Sequence, residues 1–174
     1  MRPTIFLDLD DVMVGRGIYN SYQVIQLFDL GKTEEWPEFW QGLIHVEARE
    51  NLKQLHTEFA PFYVISSSWT THLNREQMTF VFERTGLRFV ALNLHDEWTT
   101  PKKKHSSRSD EIEEWLKQNK KGEPILVLDD HHSGWSLLES ELYRQGRVIL
   151  CDIDGCFVAD RLKEARQVLQ ARFR

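Results

Sequence analysis

The residues of this 174-residue chain best suited to chemistry are acids that close apolar runs. FLDLDDV, from Phe6 to Val12, runs into Asp8, Asp10 and Asp11, and ILVLDDHH, from Ile125 to His132, runs into Asp129 and Asp130 ahead of His131 and His132. YVISSSW, from Tyr63 to Trp69, ends a third run in Ser66, Ser67 and Ser68. Side chains alternate along a strand, so Asp8 and Asp10 are expected to point the same way. If Asp129 or Asp130 approaches them on a neighbouring strand, at least three carboxylates converge, an arrangement tolerable only with a counter-cation. Hard oxygen ligands of that kind suit Mg2+, which bridges readily to phosphate oxygens. A serine hydroxyl and a cation then complete a phosphate cradle, and Lys104 and Arg108 precede the third helical segment. The chemistry implied is phosphoryl transfer with a carboxylate as nucleophile.

Five β-type runs would position these groups: Thr4 to Leu9, Phe62 to Ser67, Leu87 to Leu92, Pro124 to Leu128 and Arg147 to Cys151. Their apolar continuity predicts strands buried on both faces. Between them lie stripes of helical period: Ala48, Leu52, Leu55 and Phe59; Met78, Val81 and Phe82; Ile112, Trp115 and Leu116; and Leu162, Ala165, Val168 and Leu169. Strands alternating with helices predict parallel pairing through right-handed crossovers, hence a three-layer α/β sandwich with a Rossmann-like sheet. Ligands bind such a sheet where its strands end, which is where the acids lie. Two parts fit less neatly. Residues 14–42, with a helix-like Tyr22 to Leu30 and then Trp36, Phe39 and Trp40, read as a small insertion over the sheet edge whose aromatics pack. Asp96 to Asp110, carrying Lys102, Lys103, Lys104 and Arg108, reads as a long basic loop.

One domain over residues 1–174 is expected from the length. Hydrophobic residues at 41% and charged ones at 28% exclude a mainly disordered chain. No apolar run approaches the roughly 18 to 20 residues that span a bilayer, and the acid-closed start is neither a signal peptide nor an anchor, so a cytoplasmic protein without a membrane partner is expected. Cys151 and Cys156 then read as reduced core thiols. With 22 Lys and Arg against 27 Asp and Glu, the net charge of −5 disfavours a duplex-DNA binder that relies on global positive charge.

Taken together, FLDLDDV, YVISSSW, the segment KKKHSSRSDEIEEWL from Lys102 to Leu116, and ILVLDDHH resemble the four motifs of the haloacid dehalogenase (HAD) superfamily of phosphohydrolases. With CDIDGCF from Cys151 to Phe157 before a final helix, the chain looks like a small bacterial branch similar to the phosphatase modules of RNA-repair proteins. The resemblance implies an HAD-like core acting through an aspartyl-phosphate. Asp8 would be the nucleophile and Asp10 the acid and base. Asp8, the backbone carbonyl of Asp10, and Asp129 or Asp130 would hold Mg2+. Ser67, in preference to Ser66, would bind the phosphoryl group, and a cation would neutralise it. Here three lysines and Arg108 compete: Arg108 matches the branch pattern and Lys104 the wider superfamily. Neither gap between the motifs has room for a large cap domain, so an open site is expected, able to accept a bulky substrate such as a nucleic-acid end, a phosphoprotein or a large nucleotide, with a small phosphomonoester such as a nucleotide equally credible.

Other readings are weaker. A receiver-type signalling domain needs an acid at the end of the third strand, where Ala91, Leu92 and Asn93 stand. A catalytically silent binding module of the same fold would not need both Asp8 and Asp10. His131 and His132 lack the Cys or His partners of a zinc site and read as loop or substrate contacts. DIDG at Asp152 to Gly155 imitates the first motif, but too little chain follows it for the other three.

Overall fold

The computed structural model describes residues 1–153 and 155–171; Asp154, part of the DIDG imitation, lies outside them, as do residues 172–174. Its centre is a parallel sheet of β1 (Thr4–Leu7), β2 (Phe62–Ile65), β3 (Leu94–Thr99), β4 (Ile125–Asp130) and β5 (Val148–Cys151), in the order β3-β2-β1-β4-β5. The chain builds outward from β1 in one direction and then in the other, so the strand order reverses at β1 and β4, which is where such sheets open a crevice for ligand.

Strand alternation explains the two halves of the core. Ile5, Leu7, Ile65, Leu126, Leu128, Ile149 and Cys151 face one side, and Phe6, Val64, Ile125, Val127, Val148 and Leu150 face the other. The first side is covered by α3 (Val46–Phe59), α4 (Arg75–Arg84) and α8 (Ala159–Gln170), whose Ala48, Leu52 and Leu55, Met78, Val81 and Phe82, and Leu162, Ala165 and Leu169 are buried in it. The second is covered by α6 (Arg108–Asn119), through Ile112 and Trp115, and by a 3-10 turn and α7 (Glu141–Arg144), through Leu137 and Leu142. These are the expected three layers, with no large cap.

The segment after β1 forms α1 (Ser21–Asp29) and α2 (Pro37–Leu43). Phe39 and Trp40 are buried, Trp40 donating its indole N–H to the Thr33 carbonyl, while Trp36 is half exposed. The aromatics at 39 and 40 therefore pack, as their clustering suggested.

The third strand is a correction. Leu87 to Leu92, expected as a strand, holds the short helix α5 (Arg88–Ala91), and the strand is Leu94–Thr99, inside the stretch expected as basic loop. Leu87 and Val90 are buried at helical spacing, and the Leu87 and Val90 amides bond to the Phe82 and Leu87 carbonyls. β3 pairs only with β2, through a shifted register, so it is an edge strand and tolerates His95, Asp96 and Glu97, which hide it from an apolar-run criterion. Its end at Thr99 still carries no acid for a receiver-type acceptor.

Candidate active site

Register and alternation place the acids. Leu7 lies opposite Leu128, and the Asp8 amide donates to the Leu128 carbonyl at 2.9 Å, so Asp8 sits beside Asp129 at the open end of β1 and β4. Asp8 continues the face of Phe6, and Asp129 that of Val127; both therefore aim at the side covered by α6. Asp8, Asp129 and Asp130 each offer a carboxylate oxygen within 4.8 Å of the others, and all three are buried. Burial, then the Asp129 charge, pushes the Asp8 carboxyl well above its ordinary 3.8, while Arg108 and Ser67 pull it back. Burial likewise raises Asp129, with Arg108 opposing and Asp130 adding to the rise.

The loop after β4 is shaped to hold these acids. Asp130 Oδ1 accepts from the His132 and Ser133 amides at 2.6 and 3.0 Å, and Asp129 Oδ1 from the Asp130 amide at 2.9 Å. Gly134 lies so close behind them that a Cβ there would stand 2.7 Å from the Asp130 carbonyl and 3.1 Å from the Asp129 Cβ. Only glycine admits that approach. His131 and His132 are exposed on the same loop, and His131 Nε2 lies 3.5 Å from Asp152.

Arg108 reaches the acids from the first turn of α6. Ser107 caps this helix, its hydroxyl accepting from the Asp110 amide while Asp110 accepts from the Ser107 amide. A cation in the first turn opposes the helix dipole, so its placement reflects the acids and not the helix. Its Nε stands 2.8 Å from Asp129 Oδ2, a charge contact at an angle too poor for a hydrogen bond, and its terminal nitrogens lie 3.4 Å from Asp8 and 3.5 Å from Glu111. Burial works against its charge, but Asp129, Asp8 and Glu111 more than offset this, and its pKa lies above the ordinary value.

Lys102, not Lys104, is the lysine brought to the cluster. Its Nζ donates to Glu111 Oε2 at 2.6 Å and to Thr100 Oγ1 at 3.2 Å, and Thr100 is tied through its amide to the Ile65 carbonyl. Burial, then the neighbouring Arg108 charge, lowers the Lys102 pKa. Lys104 is exposed on the loop. Glu111 is the residue that sequence reasoning missed: only 9% exposed, it anchors both cations, and its other oxygen accepts from Ser106. Its signal was an acid three residues after Arg108, adjoining the Ile112 and Trp115 stripe.

Asp10 is placed differently from the expected alternation, because the strand ends at Leu7. Asp11 takes a left-handed φ of 57°, and the amides of Val12, Met13 and Val14 converge on the Leu9 carbonyl. This turn is held by bonds from the Phe157 amide to Val12 and from the His45 amide to Met13. The Asp10 side chain is thus separate from the three-acid cluster and accepts the Trp69 indole N–H at 3.0 Å. Burial raises its pKa, against the Trp69 and Ser21 hydrogen bonds. Ser66 and Ser67 follow β2 fully buried, and neither hydroxyl has a hydrogen-bond partner of good geometry, although Ser67 lies beside Asp8.

Asp8 Oδ2 and Asp129 Oδ2 also lack hydrogen bonds. Buried polar atoms left this way cost about 1–3 kcal/mol each, more when charged. Four acids, Asp8, Asp129, Asp130 and Glu111, meet two cations, Arg108 and Lys102. A hard divalent cation fits both the unmet oxygens and the surplus negative charge.

A five-stranded parallel sheet carrying acids at its point of strand-order reversal fits an HAD-type α/β fold. The chain belongs to the family described as the HAD domain in Swiss Army Knife RNA repair proteins, whose model matches residues 4–152. Its superfamily is one of hydrolases of the phosphatase type. No match was found among curated proteins or among solved structures. Among the described residues no helix is long and apolar enough to cross a membrane, and Cys151 and Cys156 are buried thiols not joined in a disulfide.

The cations offer a direct check of the site. Replacing Arg108 by Ala is expected to lower kcat/KM by on the order of 100-fold or more, as for other preorganised groups facing transition-state charge. Lys102→Met is expected to cost about tenfold, or 1.4 kcal/mol of barrier. Lys104→Ala should stay within about twofold, as expected of an exposed charge. Steady-state kinetics on one phosphomonoester ranks them, and a larger loss at Lys104 than at Lys102 contradicts the placement.

Proposed function

We propose that this protein is a Mg2+-dependent phosphomonoesterase acting through an aspartyl-phosphate, with the terminal phosphate of a polynucleotide as substrate. The observation that carries the reading is the buried trio Asp8, Asp129 and Asp130, with unmet oxygens and Arg108 spanning two of its members. The family description, which refers to RNA repair, supports the polynucleotide substrate.

In this mechanism Asp8 attacks phosphorus and the bond to the leaving oxygen breaks. Asp10, whose burial favours the protonated form, gives that oxygen its proton. The deprotonated Asp10 then takes a proton from water, which attacks the aspartyl-phosphate and releases phosphate and free Asp8. Ser67 donates its hydroxyl to the transferring group, while Arg108 and Lys102, held by Glu111, neutralise the oxygens as charge spreads over them. Asp8, the Asp10 carbonyl and Asp129 or Asp130 would hold Mg2+, which when bound supplies positive charge to a phosphate oxygen and to the nucleophile.

Phosphate release from p-nitrophenyl phosphate, nucleotides, a phosphopeptide and oligonucleotides phosphorylated at either end tests the proposal. Release that needs Mg2+, stops with chelator and is fastest on an oligonucleotide is expected. A faster nucleotide would move the substrate to small-molecule metabolism, and silence across the panel from folded protein would favour a binding module.

The same acids predict a metal-dependent stability. A carboxyl whose folded pKa is raised ionises in the unfolded chain first, so metal-free stability falls as pH climbs from about 4 through the raised values of Asp8 and Asp129. Mg2+ favours the ionised form, so its stabilisation should grow over that span. At 100 times its dissociation constant it is worth about 2.7 kcal/mol, a rise of about 5–10 °C in Tm for a chain of this size. Melting curves with and without Mg2+ at several pH values check this; a shift that shrinks with rising pH contradicts it.

A further inference from the structure

The two oxygens of the Asp10 carboxyl are held differently. Oδ2 accepts the Trp69 indole N–H at 3.0 Å. An indole N–H can only donate, so the oxygen facing it must accept. In a protonated carboxyl the carbonyl oxygen is the better acceptor, which leaves the proton to the other oxygen, here Oδ1. The Ser21 hydroxyl, the second neighbour of this carboxyl, donates and accepts alike and makes no such choice. Asp10 is half-buried and lines a cleft of about 310 Å³ with Asp11, Tyr19 and Asn20, so a leaving group has room to reach the carboxyl while Oδ2 is tied inward.

Trp69 is itself fixed. It is buried in the core cluster that also holds Val12, Met13 and Leu73, and its carbonyl accepts from the His72 and Leu73 amides at 3.0 and 2.9 Å. It stands on the short 3-10 turn Ser68–Thr71, directly after Ser67. Thr70 Oγ1 donates to the Ser67 carbonyl at 3.1 Å, and Thr99 Oγ1, at the end of β3, lies 2.9 Å from Thr70 Oγ1. The edge strand thus fastens a turn that brings Ser67 beside Asp8 and Trp69 against Asp10. Packing explains the buried ring, since a buried indole needs a partner for its N–H, but it does not require that the partner be an acid. Trp40 and Trp115, buried likewise, give their N–H groups to the backbone carbonyls of Thr33 and Glu97. Trp69 gives its own to a carboxyl of the first motif.

We propose that Trp69 is a positioning residue for leaving-group protonation: by holding Asp10 Oδ2 it keeps the proton on Oδ1, from which it passes to the leaving oxygen as the bond to phosphorus breaks and its electron pair goes to that oxygen. The proposal rests on the phosphatase reading, in which Asp10 is the acid, and the two can fail separately.

The test compares the native chain with Trp69→Phe and with the full chain in which Trp69 is replaced by 3-benzothienylalanine, which keeps the shape of the indole and puts sulfur where its N–H stood. kcat/KM is measured with Mg2+ for phosphomonoesters whose leaving groups run from p-nitrophenolate to simple alcohols. This ratio covers only the steps up to the aspartyl-phosphate, so it separates protonation of the leaving oxygen from the later attack of water. In both variants the loss on an alkyl ester is expected to exceed the loss on p-nitrophenyl phosphate by about tenfold or more, a part of the roughly 10²- to 10⁴-fold that general acid–base catalysis supplies. The plot of log kcat/KM against leaving-group pKa therefore steepens. A residue that only packs would, when replaced, lower every substrate alike. An equal loss across the series in the benzothienyl chain, or no loss at all, overturns the assignment and leaves the phosphatase reading standing; if Trp69→Phe does not fold, the benzothienyl chain decides alone. If the native protein releases phosphate from no ester, the phosphatase reading fails and the role of Trp69 falls with it.

Discussion

Asp8→Asn is expected to lower turnover by on the order of 10⁴-fold or more, the scale seen when a nucleophile that acts together with its neighbours is removed. The amide keeps the shape of the carboxylate but cannot form the aspartyl-phosphate. Unfolding would not be the cause. Burial already penalises the Asp8 charge, so its removal relieves a cost, and the metal-free variant should melt at or above the native temperature at pH 8. Arg108 retains Asp129 and Glu111 as partners. The Mg2+-induced rise in Tm should shrink, since one of three carboxylates no longer carries charge. Phosphate release and melting curves measured on the same preparation separate these effects. Native-like turnover in a folded variant would sink the covalent mechanism.

Asp10→Asn is expected to cost 10²- to 10⁴-fold, roughly the range of general acid–base catalysis, and its effect should depend on the leaving group. p-Nitrophenolate leaves without a proton, so the first step survives and the second, which needs a base, does not. A stopped-flow trace should show a burst of about one p-nitrophenolate per active site followed by slow turnover, the mark of a covalent intermediate that accumulates. A polynucleotide end releases an alkoxide, which needs the proton, and should give no burst. Because Asp10 is bonded to Trp69 and lies apart from the three-acid cluster, the variant should keep its Mg2+-induced rise in Tm. A burst on both substrates would remove Asp10 from leaving-group protonation, and its absence on both would leave the second step without support.

Where the sequence reading succeeded and where it missed follow from local and non-local physics. Four of the five strands were legible because strands buried on both faces read as short apolar runs. The third was not: β3 has one neighbour, its outer edge meets water, and its composition carries no such run. The first-motif acids were legible as types and spacing, yet where Asp10 lies was not, because β1 ends before it and the turn at Asp11 follows, leaving its side chain against Trp69. Motif three was ambiguous among four cations within seven residues, since spacing along a loop says nothing about which one bends inward.

By itself the sequence determined the layer architecture and the placement of acids at the ends of two strands, because hydrophobic periodicity and acid placement are local properties of the chain. It also pointed to hard-cation phosphoryl transfer as the chemistry to expect of those acids. Only the tertiary structure decided that Asp8 sits beside Asp129, that Arg108 and Lys102 lie against the acids, that Glu111 joins them, and that Asp10 stands with Trp69. Those choices depend on contacts between segments far apart in the chain, such as Arg108 with Asp8, and long-range contacts of this kind are set by packing across the sheet and not by any one segment's own pattern.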